Sequence, residues 1–277
     1  MDVYDQIELS LLGDSSMNFD NQKHNAAVQR IKVLFMAGHP CSVSFSSGKD
    51  SSELLDITFT AALLAKSDGA EPYILVLTSD TGIENPEITQ HVKEESKKIK
   101  EYAKQHNLKL EHHIASPLLN DTWAVQVISG RSLPSFSSTN SDCTIDFKIN
   151  PINRLRKKLL TEITAERNKE VITLVGTRLD ESVARKIKMD TRNENEFAPA
   201  RNKDGDLVYA AIADFTVEDV WEWIGLVRSG LIPSYSDFNE LTRIYADAGN
   251  TLCAVISDAI TEGLKKERGS CGASLAV

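Results

Sequence analysis

Ser42-Val43-Ser44-Phe45-Ser46-Ser47-Gly48-Lys49-Asp50-Ser51 is the stretch from which the rest of the chain is read. Val43 and Phe45 alternate with small polar residues, as a short strand does. Ser46 to Ser51 then make a turn of small residues. Leu54, Leu55, Ile57, Thr58, Ala61, Ala62 and Leu64 follow at helical spacing. A strand that passes through such a loop into a helix offers free backbone N–H groups to an anion. The helix dipole adds roughly 1 kcal/mol for phosphate at an ordinary site. The hydroxyls of Ser46, Ser47 and Ser51 add donors, and Lys49 adds charge. The spacing G-x-x-x-x-G-K-S/T is absent, because Gly48 is the lone glycine here and Asp50 follows Lys49. A polar turn that binds nothing is the plain alternative.

The chain has 277 residues, a net charge of -9 and 41% hydrophobic residues. That is enough for one large α/β domain with a small appendage. No apolar run reaches the ~18 residues of a membrane-spanning helix. The acidic start, Met1-Asp2-Val3-Tyr4-Asp5, lacks the basic region of a signal peptide. Four Cys do not make a disulfide scaffold, so a reducing cytoplasm is expected, with no membrane partner. The overall acidity argues against nucleic acid. Yet residues Lys148 to Lys203 hold 14 Lys and Arg against 8 Asp and Glu. A basic region on an acidic chain suits a phosphate-bearing partner, or else a set of solvated helix faces.

Residues 1–20 read as an irregular arm and Asn21 to Gly38 as a helix, ended by Gly38 and Pro40. Tyr73 to Leu77 is a continuous apolar run, as in a central parallel strand. It ends at Ser79-Asp80-Thr81-Gly82, and Pro86 suits the first turn of the next helix. Leu108 to Ile114 and Val171 to Val175 are further strands, and Val208 to Ile212 a last one. Trp123 to Ile128 makes a short helix, Gly130 to Ser135 a loop, and a basic helix carries Arg154, Arg156, Lys157 and Lys158. Glu181 and Arg185 pair as i,i+4 neighbours if their segment is helical. Thr216 or Asp214 caps an amphipathic helix, and helices over Asp237–Ala248 and Thr251–Lys266 complete the chain. The order β-α-β-α-β predicts a doubly wound, mostly parallel sheet with right-handed crossovers. Ligands in such sheets bind beyond the carboxyl ends of the strands. The loops at Ser46 and Asp80 both lie there. The expected division is an arm and helix over 1–39, a nucleotide domain over 40–225 and a helical part over 226–277.

Four elements in this order resemble one group. They are the Ser46–Ser51 loop; Asp80-Thr81-Gly82 with Asn85-Pro86-Glu87; Cys143 with Lys148 and Pro151; and Gly176-x-Arg178-x-x-Glu181-Ser182-x-x-Arg185. Together they resemble the phosphoadenosine phosphosulfate reductase family, within the adenine nucleotide alpha-hydrolase (PP-loop) superfamily. The likeness covers roughly residues 40–225. Trp123, the Cys143-Thr144 pair and Ser79 to Pro86 look closest to the DNA phosphorothioation sulfurtransferases of the DndC and SspD type. Ser47 departs from the family loop S-G-G-x-D-S, standing where it has its second Gly, and requires ordinary backbone angles or modest strain.

The resemblance implies an ATP pyrophosphatase that adenylates a DNA backbone phosphate so that sulfur can replace an oxygen. ATP and Mg²⁺ are the implied cofactors. Ser46, Ser47, Gly48, Lys49, Asp50, Ser51, Ser79, Asp80, Gly176, Arg178 and Arg185 would bind nucleotide. Asp50, Lys49, Cys143, Lys148 and Arg178 would carry catalysis, and Asp50 and Asp80 would hold the metal. Implied partners are DNA, a cysteine desulfurase and other phosphorothioation proteins. Cys143 either handles sulfur or packs, and Cys41 belongs to the core. Cys253 and Cys271 lie where such proteins bind an iron–sulfur cluster, but two thiolates cannot complete a four-thiolate site. Two other readings stand beside this one. A reductase of adenylyl sulfate needs a nucleophilic Cys but no triphosphate. A nucleotide-sensing module needs the loop alone.

Overall fold

The computed structural model describes residues 22–131, 145–181, 183–192 and 194–247. In chain order, α1 (Gln22–Met36), β1 (Cys41–Ser44), α2 (Lys49–Ser67), β2 (Tyr73–Ser79), α3 (Pro86–Gln105) and β3 (Lys109–Ala115) alternate as expected. The short helix α4 (Trp123–Ile128) and the basic helix α5 (Asn150–Arg167) lead to β4 (Ile172–Leu174). Then come α6 (Val183–Arg192), β5 (Ala200–Arg201), β6 (Leu207–Tyr209), α7 (Val217–Arg228) and α8 (Asn239–Asp247).

The strands form one sheet in the order β3-β2-β1-β4-β6-β5, parallel throughout except for β5. β1 lies between β2 and β4, with Ser44 opposite Leu77 and Val43 opposite Leu174. The chain reverses its direction of winding at β1, so the crevice beyond β1 and β4 is the switch point where such sheets take ligands.

Side-chain alternation explains why β2 is apolar throughout. Ile74 and Val76 join one core with Leu54, Ile57 and Leu64 of α2, Ile31 and Phe35 of α1, and Trp221 and Ile224 of α7. Leu75 and Leu77 face the other way and pack on Leu159, Leu160 and Ile163 of α5. A strand covered on both faces has no solvent side to leave polar. The Arg167 guanidinium stacks on the Tyr73 ring at 4.1 Å, placing the end of α5 at the start of β2. The beginning of α5 therefore lies toward the carboxyl edge of the sheet, about 27 Å away at helical rise. Tyr235, Phe238 and Leu241 belong to the same core as α2.

Two expectations change. The strand foreseen over 208–212 ends at Tyr209. From there Ala213 N–H donates to Ala210 O at 3.0 Å and Phe215 N–H to Ile212 O at 3.1 Å, a turn that tips the chain into α7. β5 was not foreseen, because two residues carry no periodicity. The arm over 1–20, most of the loop after Gly130 and the helix over 251–266 lie outside the described residues. No helix among the described residues is long and apolar enough to cross a membrane.

Thr216 is the cap of α7. Its hydroxyl accepts from Asp219 N–H at 3.2 Å, and the Asp219 carboxylate accepts from Thr216 N–H at 2.7 Å. Lys23 of α1 donates to the same carboxylate at 2.7 Å, tying α1 to α7. Thr216→Ala should lower unfolding stability by about 1 kcal/mol, read as a shift of the urea midpoint at unchanged slope.

Candidate functional site

The loop after β1 is held by one hydroxyl. Ser51 Oγ donates to Gly48 O at 3.0 Å, accepts from Ser46 N–H at 3.2 Å, and lies 3.1 Å from Ser46 Oγ. That clasp turns the chain at Gly48, the N-cap of α2, which has no side-chain cap. The first-turn N–H groups of α2 thus have no carbonyl before them to bond. Ser47 sits at φ +58°. Of the two options open to Ser47, ordinary angles or strain, the fold takes the strained one, because only a left-handed residue lets β1 turn this sharply. Such a conformation costs a non-glycine residue about 1–2 kcal/mol.

Asp50 organises the charges. Arg178 Nε donates to Asp50 Oδ1 at 2.7 Å and Lys49 Nζ to Oδ2 at 2.9 Å. Arg178 is only 3% exposed and also donates to Phe215 O at 3.5 Å. Lys49 lies 5.6 Å from the centre of the Tyr245 ring, whose hydroxyl accepts from Lys49 N–H at 3.4 Å. Gly176, just past β4, brings the two elements together. A Cβ there would lie 3.2 Å from the backbone of Asp50 and Ser51. Only glycine lets the end of β4 touch the first turn of α2 without moving it.

Continuing the strand register puts Ser47, Ser79 and Thr177 at neighbouring levels past β1, β2 and β4. The hydroxyl oxygens of all three are buried and meet no hydrogen-bond partner among the described residues. Buried polar groups are normally satisfied. Orphans on three adjacent strand ends, beside a helix N-terminus and two cations, suit an oxygen-rich anion. Asp80 serves a turn, its Oδ1 accepting from Gly82 N–H at 2.9 Å. Asn85 caps α3 through Glu87 N–H at 3.0 Å, with Pro86 behind it as foreseen.

A second layer of ionisable groups lies behind the loop. Glu53 of α2 is 1% exposed, and neither carboxyl oxygen has a hydrogen bond among the described residues. Burial, and next the Asp50 charge, push its pKa well above the carboxylate range. His24 stacks on Trp223 with ring centres 3.5 Å apart, and its Nδ1 lies 3.9 Å from Glu53. Burial pushes His24 down to about 3. Burial thus favours the uncharged form of each group, and their 3.9 Å approach is too long for a hydrogen bond. Asp56 accepts from Trp223 Nε1 at 2.9 Å and Ser234 Oγ at 2.7 Å, and burial raises it to about 6. His91 of α3 lies against the Ser47 backbone, its pKa lowered by burial.

Several foreseen site residues are thus assembled: Ser46, Ser47, Gly48, Lys49, Asp50, Ser51, Gly176 and Arg178. Lys148 is half-buried in the turn before α5, with no bond to the loop. Arg185 lies in α6, but its side chain is outside the described residues, and so is its pairing with Glu181. Cys143, Cys253 and Cys271 are outside them too. Cys41 is a core thiol pushed upward by burial, as expected. For Mg²⁺, Asp50 has both oxygens engaged by cations, while Asp80 keeps one oxygen. Among the described residues no three metal-binding side chains gather. The site therefore suits a metal that arrives on phosphates, held by one carboxylate and water. Tyr245, Thr177 and Glu53 were not singled out from the sequence. Tyr245 is 196 residues from Lys49, and no local pattern links them. Glu53 reads as an ordinary helix residue.

These features define an α/β protein with a candidate anion site at the switch point of a mostly parallel sheet. No family model matches the chain, and no curated protein matches it. Similar solved structures include the U34-tRNA thiolase NcsA of Methanococcus maripaludis with its iron–sulfur cluster. It is 10% identical over 87% of this chain and 73% of that one, at a TM-score of 0.45. Candida glabrata FMN adenylyltransferase, in complex with FAD and inorganic pyrophosphate, is 10% identical over 82% of this chain and 65% of that one, at 0.42. NAD+ synthetase from Burkholderia pseudomallei is 14% identical over 93% of each chain, also at 0.42. At this distance the likenesses decide nothing about chemistry, and the fold rests on its own strand order.

Ser47→Gly should stabilise the protein by about 1 kcal/mol, because glycine takes positive φ without penalty; unchanged or lowered stability in urea would count against strain at this residue. Glu53 gives a pH test. Its ordinary value is near 4.5 and its folded value lies well above that. Between the two, the folded state holds a proton that the unfolded chain gives up, so stability falls as pH rises. Glu53→Gln removes this loss. The variant should match the wild type near pH 4.5 and become progressively more stable toward neutral pH, by denaturant titration at each pH.

Proposed function

We propose that this protein cleaves ATP to AMP and pyrophosphate and hands AMP to a backbone phosphate of DNA during replacement of oxygen by sulfur. The observation that carries the reading is the cradle itself. The first turn of α2, the Lys49–Asp50–Arg178 array and the hydroxyls of Ser47, Ser79 and Thr177, unpartnered among the described residues, lie at one edge of the sheet. Asp50 orients the two cations, Lys49 and Arg178 offset charge on the transferring phosphates, and Asp80 is the carboxylate left for Mg²⁺. ATP with Mg²⁺ supplies the leaving group.

A non-bridging DNA oxygen attacks the α-phosphorus, and the bond to pyrophosphate breaks. A persulfide sulfur then attacks the DNA phosphorus, and AMP departs with the former DNA oxygen. A second thiol takes the carrier sulfur as a disulfide and leaves the new sulfur on phosphorus. A cysteine desulfurase is the natural source of the persulfide, and Cys143 is the candidate thiol in this chain.

The deciding experiment follows pyrophosphate from ATP and Mg²⁺, with and without DNA. Release supports the proposal. Turnover of adenylyl sulfate with a thiol, and no ATP cleavage, would replace it with reduction. Lys49→Ala should slow release on the order of 100-fold at an unchanged melting temperature, because Asp50 keeps Arg178. Full activity in that variant would remove Lys49 from the mechanism.

A further inference from the structure

The described chain has a second concavity on the same edge of the sheet, one strand removed from the loop. It is a cleft of about 410 Å³ between the ends of β2 and β3, lined by Asp80, Thr81, Ile83, Pro117, Thr122 and Trp123. Its walls are mainly apolar, with hydroxyls at the rim. Trp123 is 38% exposed, whereas Trp221 and Trp223 are 1% and 3% exposed. Ile83 and the neighbouring Leu118 and Leu119 are exposed as well. An aromatic face open to solvent between an apolar wall and hydroxyls is the environment that a stacked nucleobase uses.

Charge complementarity identifies the occupant. α5 covers the faces of β2 and β3, with Leu159, Leu160 and Ile163 on Leu75 and Leu77. Arg167 stacked on Tyr73 fixes its far end at the amino edge. Its first turns therefore rise toward the edge that holds the Trp123 cleft. Arg154 and Lys157 lie on those turns, exposed and without an ion pair among the described residues. Arg156, by contrast, is spent on Asp206 at 2.9 Å. Free cations on the edge of the sheet that also holds an aromatic cleft suit an unpaired strand: phosphates along the cations, a base on the ring. A duplex keeps its bases stacked and offers one to Trp123 only at the cost of unstacking and unpairing it.

We propose that the acceptor is an unpaired nucleic-acid strand, one base lodged against Trp123 and the adjoining phosphates along Arg154 and Lys157. This rests on the phosphate-transfer reading and names its substrate class. DNA and RNA share the chemistry, so the test uses both.

The full-length protein is titrated, without ATP, with dye-labelled oligothymidylate, oligouridylate and a blunt duplex, by anisotropy and by tryptophan quenching. Single strands should bind and quench, and the duplex should bind more weakly. Trp123→Ala should weaken single-strand binding about 10-fold or more, while Trp123→Phe keeps most of it. Arg154→Gln with Lys157→Gln should flatten the salt dependence by roughly one to two units of slope. Equal affinity in Trp123→Ala, or a duplex bound as tightly as a single strand, overturns the proposal. So does ATP alone quenching Trp123 while no strand binds. Pyrophosphate release is measured on the same samples. Release without strand binding defeats this inference and leaves ATP cleavage standing; strand binding at Trp123 without release does the reverse.

Discussion

The contact between the end of β4 and the first turn of α2 is the constraint on which the site depends. Gly176 has no side chain, so the backbones of Asp50 and Ser51 approach it directly. Two residues on, Arg178 reaches the Asp50 carboxylate at 2.7 Å from an almost fully buried position. A buried guanidinium is costly without a partner, and so Asp50 and Arg178 hold each other in place. Lys49 then has one direction left, toward the other Asp50 oxygen and the Tyr245 ring. The cations of the cradle are thereby oriented before any ligand arrives, which is how a charged site avoids reorganisation when charge moves.

The phosphate loop accepts local strain to keep this arrangement. Ser47 is both left-handed and fully buried, with its hydroxyl unpartnered among the described residues. Propensity disfavours each of these features. They persist because Ser51 clasps the loop at Gly48 and Ser46, and because His91 lies against the Ser47 backbone. Glu53, one turn further along α2, is a similar case. Local consistency fails at functional and strained sites first, and here the failures cluster around one loop.

How much was legible follows from where the determining interactions lie. β1, α2, β2, α3 and β3 follow from periodicity over four to twenty residues, and short-range rules decide them. Pro86 in the first turn of α3 and a cap at Thr216 or Asp214 were legible for the same reason, and the side chain that meets a backbone N–H three residues on is that of Thr216. The Ser46–Ser51 loop was legible as a small-residue turn between strand and helix, and Gly176 and Arg178 through the resemblance, whereas Thr177 and Tyr245 were not singled out. The arrangement of these residues was not legible, since the Asp50–Arg178 pair spans 128 positions and the Lys49–Tyr245 contact 196. Nothing in a helix pattern says that Glu53 faces His24 across α1. Nor does a five-residue apolar run over 208–212 reveal that Ala210 to Ala213 turn instead of pairing.

Two stretches of the carboxyl edge of the sheet divide the work in the proposed reaction. In that proposal the nucleotide phosphates would lie over β1 and β4, at the first turn of α2 and where Lys49 and Arg178 gather. The acceptor comes from the side of β2 and β3, where α5 carries its free cations and Trp123 stands open. Parallel strands lie about 4.8 Å apart, so the cleft between β2 and β3 lies two strand spacings from the crevice between β1 and β4. In the proposed reaction, a base held at Trp123 would limit how far the adjoining phosphates can stray from the crevice. Trp123 thus becomes a positioning group, and the cost of ordering a loose strand falls on stacking at the cleft, leaving the cradle's charges for the transition state.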